Sequence, residues 1–171
     1  MIEAVIVPAR PDDAETIAAL ARVIWHLHYP AIISRAQIDY MLTQRYAPEL
    51  LRRQIGSIGH HWDRLLLDGV LIGFAHCFVN GSEMKLDKLY IHPGHQRKGY
   101  GGKLIAHAVM AAQDAGCARL LLAVNKHNEN AIAAYRKHGF EVVEEVVRDI
   151  GDGFVMDDYI MAREVGRDRR E

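Results

Sequence analysis

Only two cysteines, Cys77 and Cys117, occur in the 171 residues, far apart and each within an apolar-rich segment. That arrangement excludes a disulfide framework or a cysteine-based metal site and predicts two buried free thiols. Long hydrophobic runs are missing as well. No stretch approaches the roughly 20 apolar residues of a membrane span, and the run in "MIEAVIVPARP" is too short for a secretory signal and carries Glu3. The expectation is a cytoplasmic protein without a membrane partner. Charge of one sign is not in excess either: 21 Lys and Arg face 22 Asp and Glu, so no global field favours nucleic acid. Internal repeats and low-complexity segments are absent.

What is present is a chain with half its residues apolar, enough for a substantial core, which suits one domain over 1–165 followed by a frayed tail at 166–171. "VIVPA" predicts a first strand. Asp12 with Glu15 three residues on resembles a capping box, starting a helix with Ile17, Leu20, Ala21 and Ile24 on one face that ends near Tyr29-Pro30. Ser34 with Gln37 starts a second helix, and a short third one covers Pro48 to Ile58. Asp68-Gly69 and Asn80-Gly81 then separate three strand-like runs, predicting an antiparallel meander. Beyond Pro93 follow a glycine loop, a helix to about Ala115 with Gly116 as its cap, and the strand "ARLLLAV". A helix from Asn128 to Gly139 and two strands joined through "GDG" complete a mixed α/β fold with parallel and antiparallel pairs.

The segment "HQRKGYGGKLIAHAVM", His95 to Met110, sets basic side chains and three glycines directly before an amphipathic helix. A helix N-terminus exposes unpaired amide N–H groups and a partial positive charge, so a loop without side-chain bulk can bring an anion, such as a pyrophosphate, against it. Arg97, Lys98 and Lys103 surround the glycines, and Tyr90 to Pro93 delivers the chain from a strand end, where α/β sheets place ligands. A Walker loop does not fit, because Gly94 and Gly99 are followed by Tyr100 and Gly101 rather than Lys and Ser or Thr. The dinucleotide fingerprint fails as well, since Leu104 stands where its last glycine would be.

"QRKGYGG", Gln96 to Gly102, resembles motif A (Q/RxxGxG/A) of the GCN5-related N-acetyltransferase superfamily. "LYIHP" before it is similar to that family's fourth strand, "NENAIAAYRKHGF" to its motif B, and "VMDDYIMARE" to the final strand of bacterial polyamine N-acetyltransferases. The match runs over Trp62 to Glu164, leaving the first third weakly matched. The resemblance implies an α/β (α+β) fold with a mixed, mostly antiparallel sheet of six or seven strands flanked by helices. It also implies acetyl-CoA as co-substrate and a primary amine as acceptor. On this chain the pantetheine arm would meet the backbone of Leu89, Tyr90 and Ile91, and the diphosphate would meet Gln96, Arg97, Lys98, Gly99, Tyr100, Gly101 and Gly102. Asn128 and Tyr135 would also lie along the cofactor.

Transfer from a thioester to an amine needs a neutral nucleophile, a stabilised oxyanion and a proton for the departing thiolate. Tyr135 matches the family tyrosine that supplies this proton; as a bare helical aromatic it would simply pack. Asn128, at a helix start, is an N-cap by default. Asp87 is the candidate base and amine contact, with Glu83 just before it, although Lys85 falls where histone-type members carry a glutamate. Leu86 and Leu89 cannot share one face of a regular strand, so a bulge near Asp87 and Lys88 is expected. The resemblance places the acceptor against the first two helices, making Trp25, Tyr29 and Tyr40, with His28, substrate candidates; Asp87, Asp157 and Asp158 would attract a polyamine. No histidine set forms a zinc motif, and no metal is assigned. A small-molecule amine is the expected partner, with a protein amine or a non-catalytic acyl-CoA sensor as alternatives, in a monomer or homodimer that binds no nucleic acid.

Overall fold

The computed structural model describes residues 2–166. Seven strands, β1 (Ala4–Pro8), β2 (His60–Leu67), β3 (Val70–Asn80), β4 (Glu83–Ile91), β5 (Arg119–Asn125), β6 (Glu141–Gly151) and β7 (Phe154–Glu164), make a mostly antiparallel sheet in the order β1-β2-β3-β4-β5-β7-β6. Helices α1 (Ala14–His28), α2 (Arg35–Tyr46), α3 (Pro48–Gln54), α4 (Tyr100–Asp114) and α5 (Glu129–Lys137) flank it. The chain gathers into two compact units: one takes the chain through Phe78 together with Lys88–Leu104, the other Val79–Asp87 together with the chain from Ile105 onward.

In the first unit, β1, β2 and β3 pair antiparallel, and Asp68 and Gly69 close the β2–β3 hairpin with φ of 50° and 75°, the left-handed pair a two-residue turn needs. The start of α1 differs from the expectation. Asp13, not Asp12, closes the entry turn by accepting from the Arg10 N–H at 2.8 Å, after a short 3-10 turn over Pro11–Asp13. Glu15 turns outward to Arg52 instead. Ser34 caps α2 by accepting from the Gln37 N–H at 3.1 Å, as expected. Helix α3 stops at Gln54, short of Ile58, because Gly56 adopts φ 83° and ends the run. The apolar face of α1, formed by Ala14, Ile17, Ala21, Ile24 and Trp25, is buried, and Ile38, Leu51, Leu65 and Phe74 are buried in the same unit.

Two predictions arise here. A Cβ on Gly73, in the middle of β3, would stand 2.7 Å from Ile91 Cδ1 and 2.8 Å from the Tyr90 carbonyl oxygen. Gly73→Ala is therefore expected to destabilise by about 1–3 kcal/mol through overpacking, and an unchanged urea midpoint would refute that close approach. The second concerns Glu15, whose carboxyl is held below its ordinary 4.5 by backbone hydrogen bonding first and the Arg52 guanidinium second. A depressed carboxyl stabilises the fold above its unfolded value and loses that contribution as pH falls through the folded one. Arg52→Gln should thus flatten the loss of stability below about pH 4.5, read from urea midpoints across an acid series.

In the second unit, β5 pairs in parallel with β4 over Glu83–Lys85 and antiparallel with β7, which pairs with β6. Ile105, Ala108, Ala112, Leu120, Leu122, Val124, Phe140 and Met161 form its buried core. Gly116 ends α4 at φ 72°, and Asp152 and Gly153 turn β6 into β7 at φ 55° and 80°. Cys77 and Cys117 are buried and form no disulfide. Of the expected tail at 166–171, Gly166 accepts a hydrogen bond from Gln113 at 3.4 Å, and 167–171 lie outside the described residues.

Candidate active site

The glycine loop belongs to the first unit. After a 3-10 turn over Pro93–His95 the chain takes φ 63° at Arg97 and 84° at Gly99, then enters α4 at Tyr100. The Lys103 N–H bonds the Gly99 carbonyl at 3.2 Å, and helix geometry leaves the N–H groups of Tyr100, Gly101 and Gly102 without intrahelical acceptors. A Cβ at Gly99 or Gly101 would meet nothing within 4 Å. Exposed Arg97 and Lys98 flank this opening. Backbone donors, helix dipole and cations here all suit an anion.

Two side chains of the loop region are held within the protein. Lys103 reaches the Ala4 carbonyl and lies 3.7 Å from Glu3, so it anchors β1. The Gln96 side chain donates to the Ile91 carbonyl at 3.2 Å, stitching the loop to the end of β4. Leu89 and Tyr90 are half-buried, and Ile91 is buried.

The aromatic candidates of the same unit separate in role. Trp25 is 1% exposed, with ring centroids 4.5 Å from Tyr29 and 5.8 Å from both Tyr46 and Tyr90. It is a core side chain, because its position on α1 continues the buried row of Ile17, Ala21 and Ile24. The surface it supports is Tyr29, whose hydroxyl hydrogen-bonds the Tyr90 hydroxyl at 2.9 Å. Tyr40 is half-buried on α2, apart from this row, and the His28 ring packs edge-on against Tyr29 at 4.8 Å.

The remaining candidates belong to the second unit. Tyr135, half-buried on α5, makes an edge-to-face contact with Phe140 at 5.6 Å. Asn128 occupies the N-cap position of α5 and is 7% exposed, yet its side chain makes no capping hydrogen bond, which removes the default explanation for an asparagine there. Asp87 lies 3.5 Å from Lys85, with side chains 16% and 30% exposed. Glu83 bonds Arg119 at 2.7 Å, and that hydrogen bond raises the guanidinium above its ordinary value. Asn125 caps a turn through the His127 N–H at 2.9 Å.

The acidic groups expected to attract a polycation are each paired. Asp157 meets Lys126 at 2.8 Å, a contact that raises the lysine, and fully buried Asp158 meets Arg148 at 3.4 Å. Like Asp87, each already has its own cation. Among the described residues no group of three or more His, Cys, Asp or Glu side chains is placed to hold a metal ion.

Lys88 escaped the sequence reading. It is 4% exposed, with its ammonium 5.3 Å from the Tyr46 ring centroid and 5.4 Å from that of Trp62. Burial alternates through Met84, Leu86 and Lys88 and changes phase over Leu89–Ile91. Counting by twos from Met84 would have found Lys88. The pair His60 Nδ1 and His76 Nε2, 2.9 Å apart with His76 stacked 4.4 Å from Trp62, was equally invisible in a polar "HHW" run.

The acetyltransferase (GNAT) family matches residues 22–140. A spermidine N(1)-acetyltransferase of Thermoplasma acidophilum is 28% identical over 150 residues, covering 85% of this chain and 91% of that one. PaiA N-acetyltransferase of Thermoplasma acidophilum, solved in complex with coenzyme A, superposes with a TM-score of 0.82 at 25% identity, covering 95% of this chain and 99% of that one. A GCN5-related N-acetyltransferase of Rhodopseudomonas palustris gives 0.81 at 21% identity over 96% and 98%, which speaks for the fold alone. With a glycine cradle of motif A in place and a family match over most of its length, this chain belongs to the GNAT acetyltransferase family and is an N-acetyltransferase.

Proposed function

We propose that the protein transfers the acetyl group of acetyl-CoA directly to a primary amine of a small molecule, as a single catalytic domain over 1–165. The observation that carries this is the cradle itself: left-handed backbone at Arg97 and Gly99 opening onto the bare amides of Tyr100–Gly102. Those groups fit a diphosphate, since the space a Cβ would take at Gly99 and Gly101 is open. When bound, the coenzyme supplies a thioester carbonyl that an amine can attack.

The residues then divide the proton work. Asp87 takes a proton from the attacking ammonium so that its nitrogen lone pair can form the new amide bond. Tyr135 gives its phenolic proton to the sulfur as the carbon–sulfur bond breaks, and the second proton that the nitrogen sheds on becoming an amide restores the phenol. Asn128, whose side chain does not cap its helix, is a polar contact for the pantetheine arm, as are the backbone groups of Leu89 and Tyr90, and Tyr29 with Tyr40 contributes acceptor contacts. Spermidine heads the acceptors to be tried, because the Thermoplasma relative is named for it.

Calorimetry with CoA and acetyl-CoA, followed by thiol release across an amine panel, tests this reading. Saturable CoA binding and turnover of at least one amine are expected. Absence of CoA binding by the purified, ligand-stripped protein would remove the proposal.

A further inference from the structure

Lys85 and Asp87 are two residues apart on β4 and therefore share a face, where both remain partly exposed at 3.5 Å. Beside them the second unit has a depression of about 240 Å³ lined by Asn80, Lys85, Leu121, Leu122, Glu144 and Ile160. At roughly 30 Å³ per water this is room for about eight waters, more than enough for a short aliphatic side chain. Leu121, Leu122 and Ile160 make it largely apolar, Lys85 and Glu144 add one charge of each sign, and Lys85 also meets Asp87, the proposed base.

We infer that the acceptor is an α-amino acid whose carboxylate pairs with Lys85, whose amine pairs with Asp87, and whose side chain lies in the depression. The inference rests on the acetyl-transfer reading and names its substrate class. Bond lengths put the amine nitrogen and carboxyl carbon of an amino acid about 2.5 Å apart, so its two charges suit two adjacent partners of opposite sign. Insertion head to tail exchanges one internal ion pair for two charge-assisted contacts, and a lysine ammonium has three donors to share between both carboxylates. A polyamine has the opposite fit. It meets a lysine at Asp87, and it must displace Lys126 from Asp157 or Arg148 from Asp158 to gain either of those carboxylates, which leaves Glu144, exposed at the depression, for a second ammonium.

The test compares L-norleucine with pentylamine, which differs only by lacking the carboxylate, and with spermidine. In kcat/KM, L-norleucine should exceed pentylamine at least tenfold and also exceed spermidine. Lys85→Gln should bring the norleucine-to-pentylamine ratio close to one, and Lys85→Arg should retain it. Preference for pentylamine or spermidine, or a ratio that survives Lys85→Gln, overturns the inference while leaving acetyl transfer intact. If no amine is turned over, titration of the protein with L-norleucine by NMR separates the two ideas. Binding that Lys85→Gln abolishes supports the site and removes only the transferase reading; no binding overturns the site.

Discussion

Tyr135→Phe should lower kcat about 100-fold while leaving the CoA dissociation constant nearly unchanged. The substitution keeps the ring that packs against Phe140, so the helix loses only a hydroxyl. If that hydroxyl protonates the departing sulfur, the loss falls on the chemical step and not on affinity. Single-turnover thiol release against CoA calorimetry reads the two separately. Unchanged turnover where chemistry limits the rate would return Tyr135 to a packing role.

Gly101→Leu is expected to weaken CoA binding on the order of 100-fold while the fold stays intact or gains stability. Its Cβ would meet no protein atom within 4 Å, and its backbone lies outside the left-handed region, so the protein has no reason to resist the side chain. Leucine in place of glycine also favours a helix by up to about 1 kcal/mol. The cost must then fall on whatever occupies that space. Gly99 would be a poorer choice, because at φ 84° any substitution strains the backbone and confounds the result. Calorimetry beside thermal unfolding checks both signs, and tight CoA binding by the variant would count against the cradle's placement.

Much of the frame was legible because local chemistry determined it. Asp68-Gly69 left only one good turn, Ser34 with Gln37 capped as the pair should, and Gly99 marked the bend into α4, whose first turn holds Gly101 and Gly102. What escaped depended on partners distant in sequence. Nothing near Asp157 or Asp158 shows that Lys126 and Arg148 neutralise them, so carboxylates that suggested a polycation site are ion pairs. Trp25 could be core or acceptor contact by sequence, and the packing of α1 makes it core. Lys103 sat among the basic residues of the loop by sequence, and only the fold brings it to the Ala4 carbonyl.

Lys88 has one further consequence. A protein that handles an activated acyl donor keeps this amine sequestered among the Tyr46 and Trp62 rings, away from any dissolved electrophile. Covalent tagging of Lys88 by a water-soluble amine reagent therefore proceeds only when the first unit breathes, and its rate is a clock for that opening, readable by mass spectrometry against the quickly tagged, exposed Lys98.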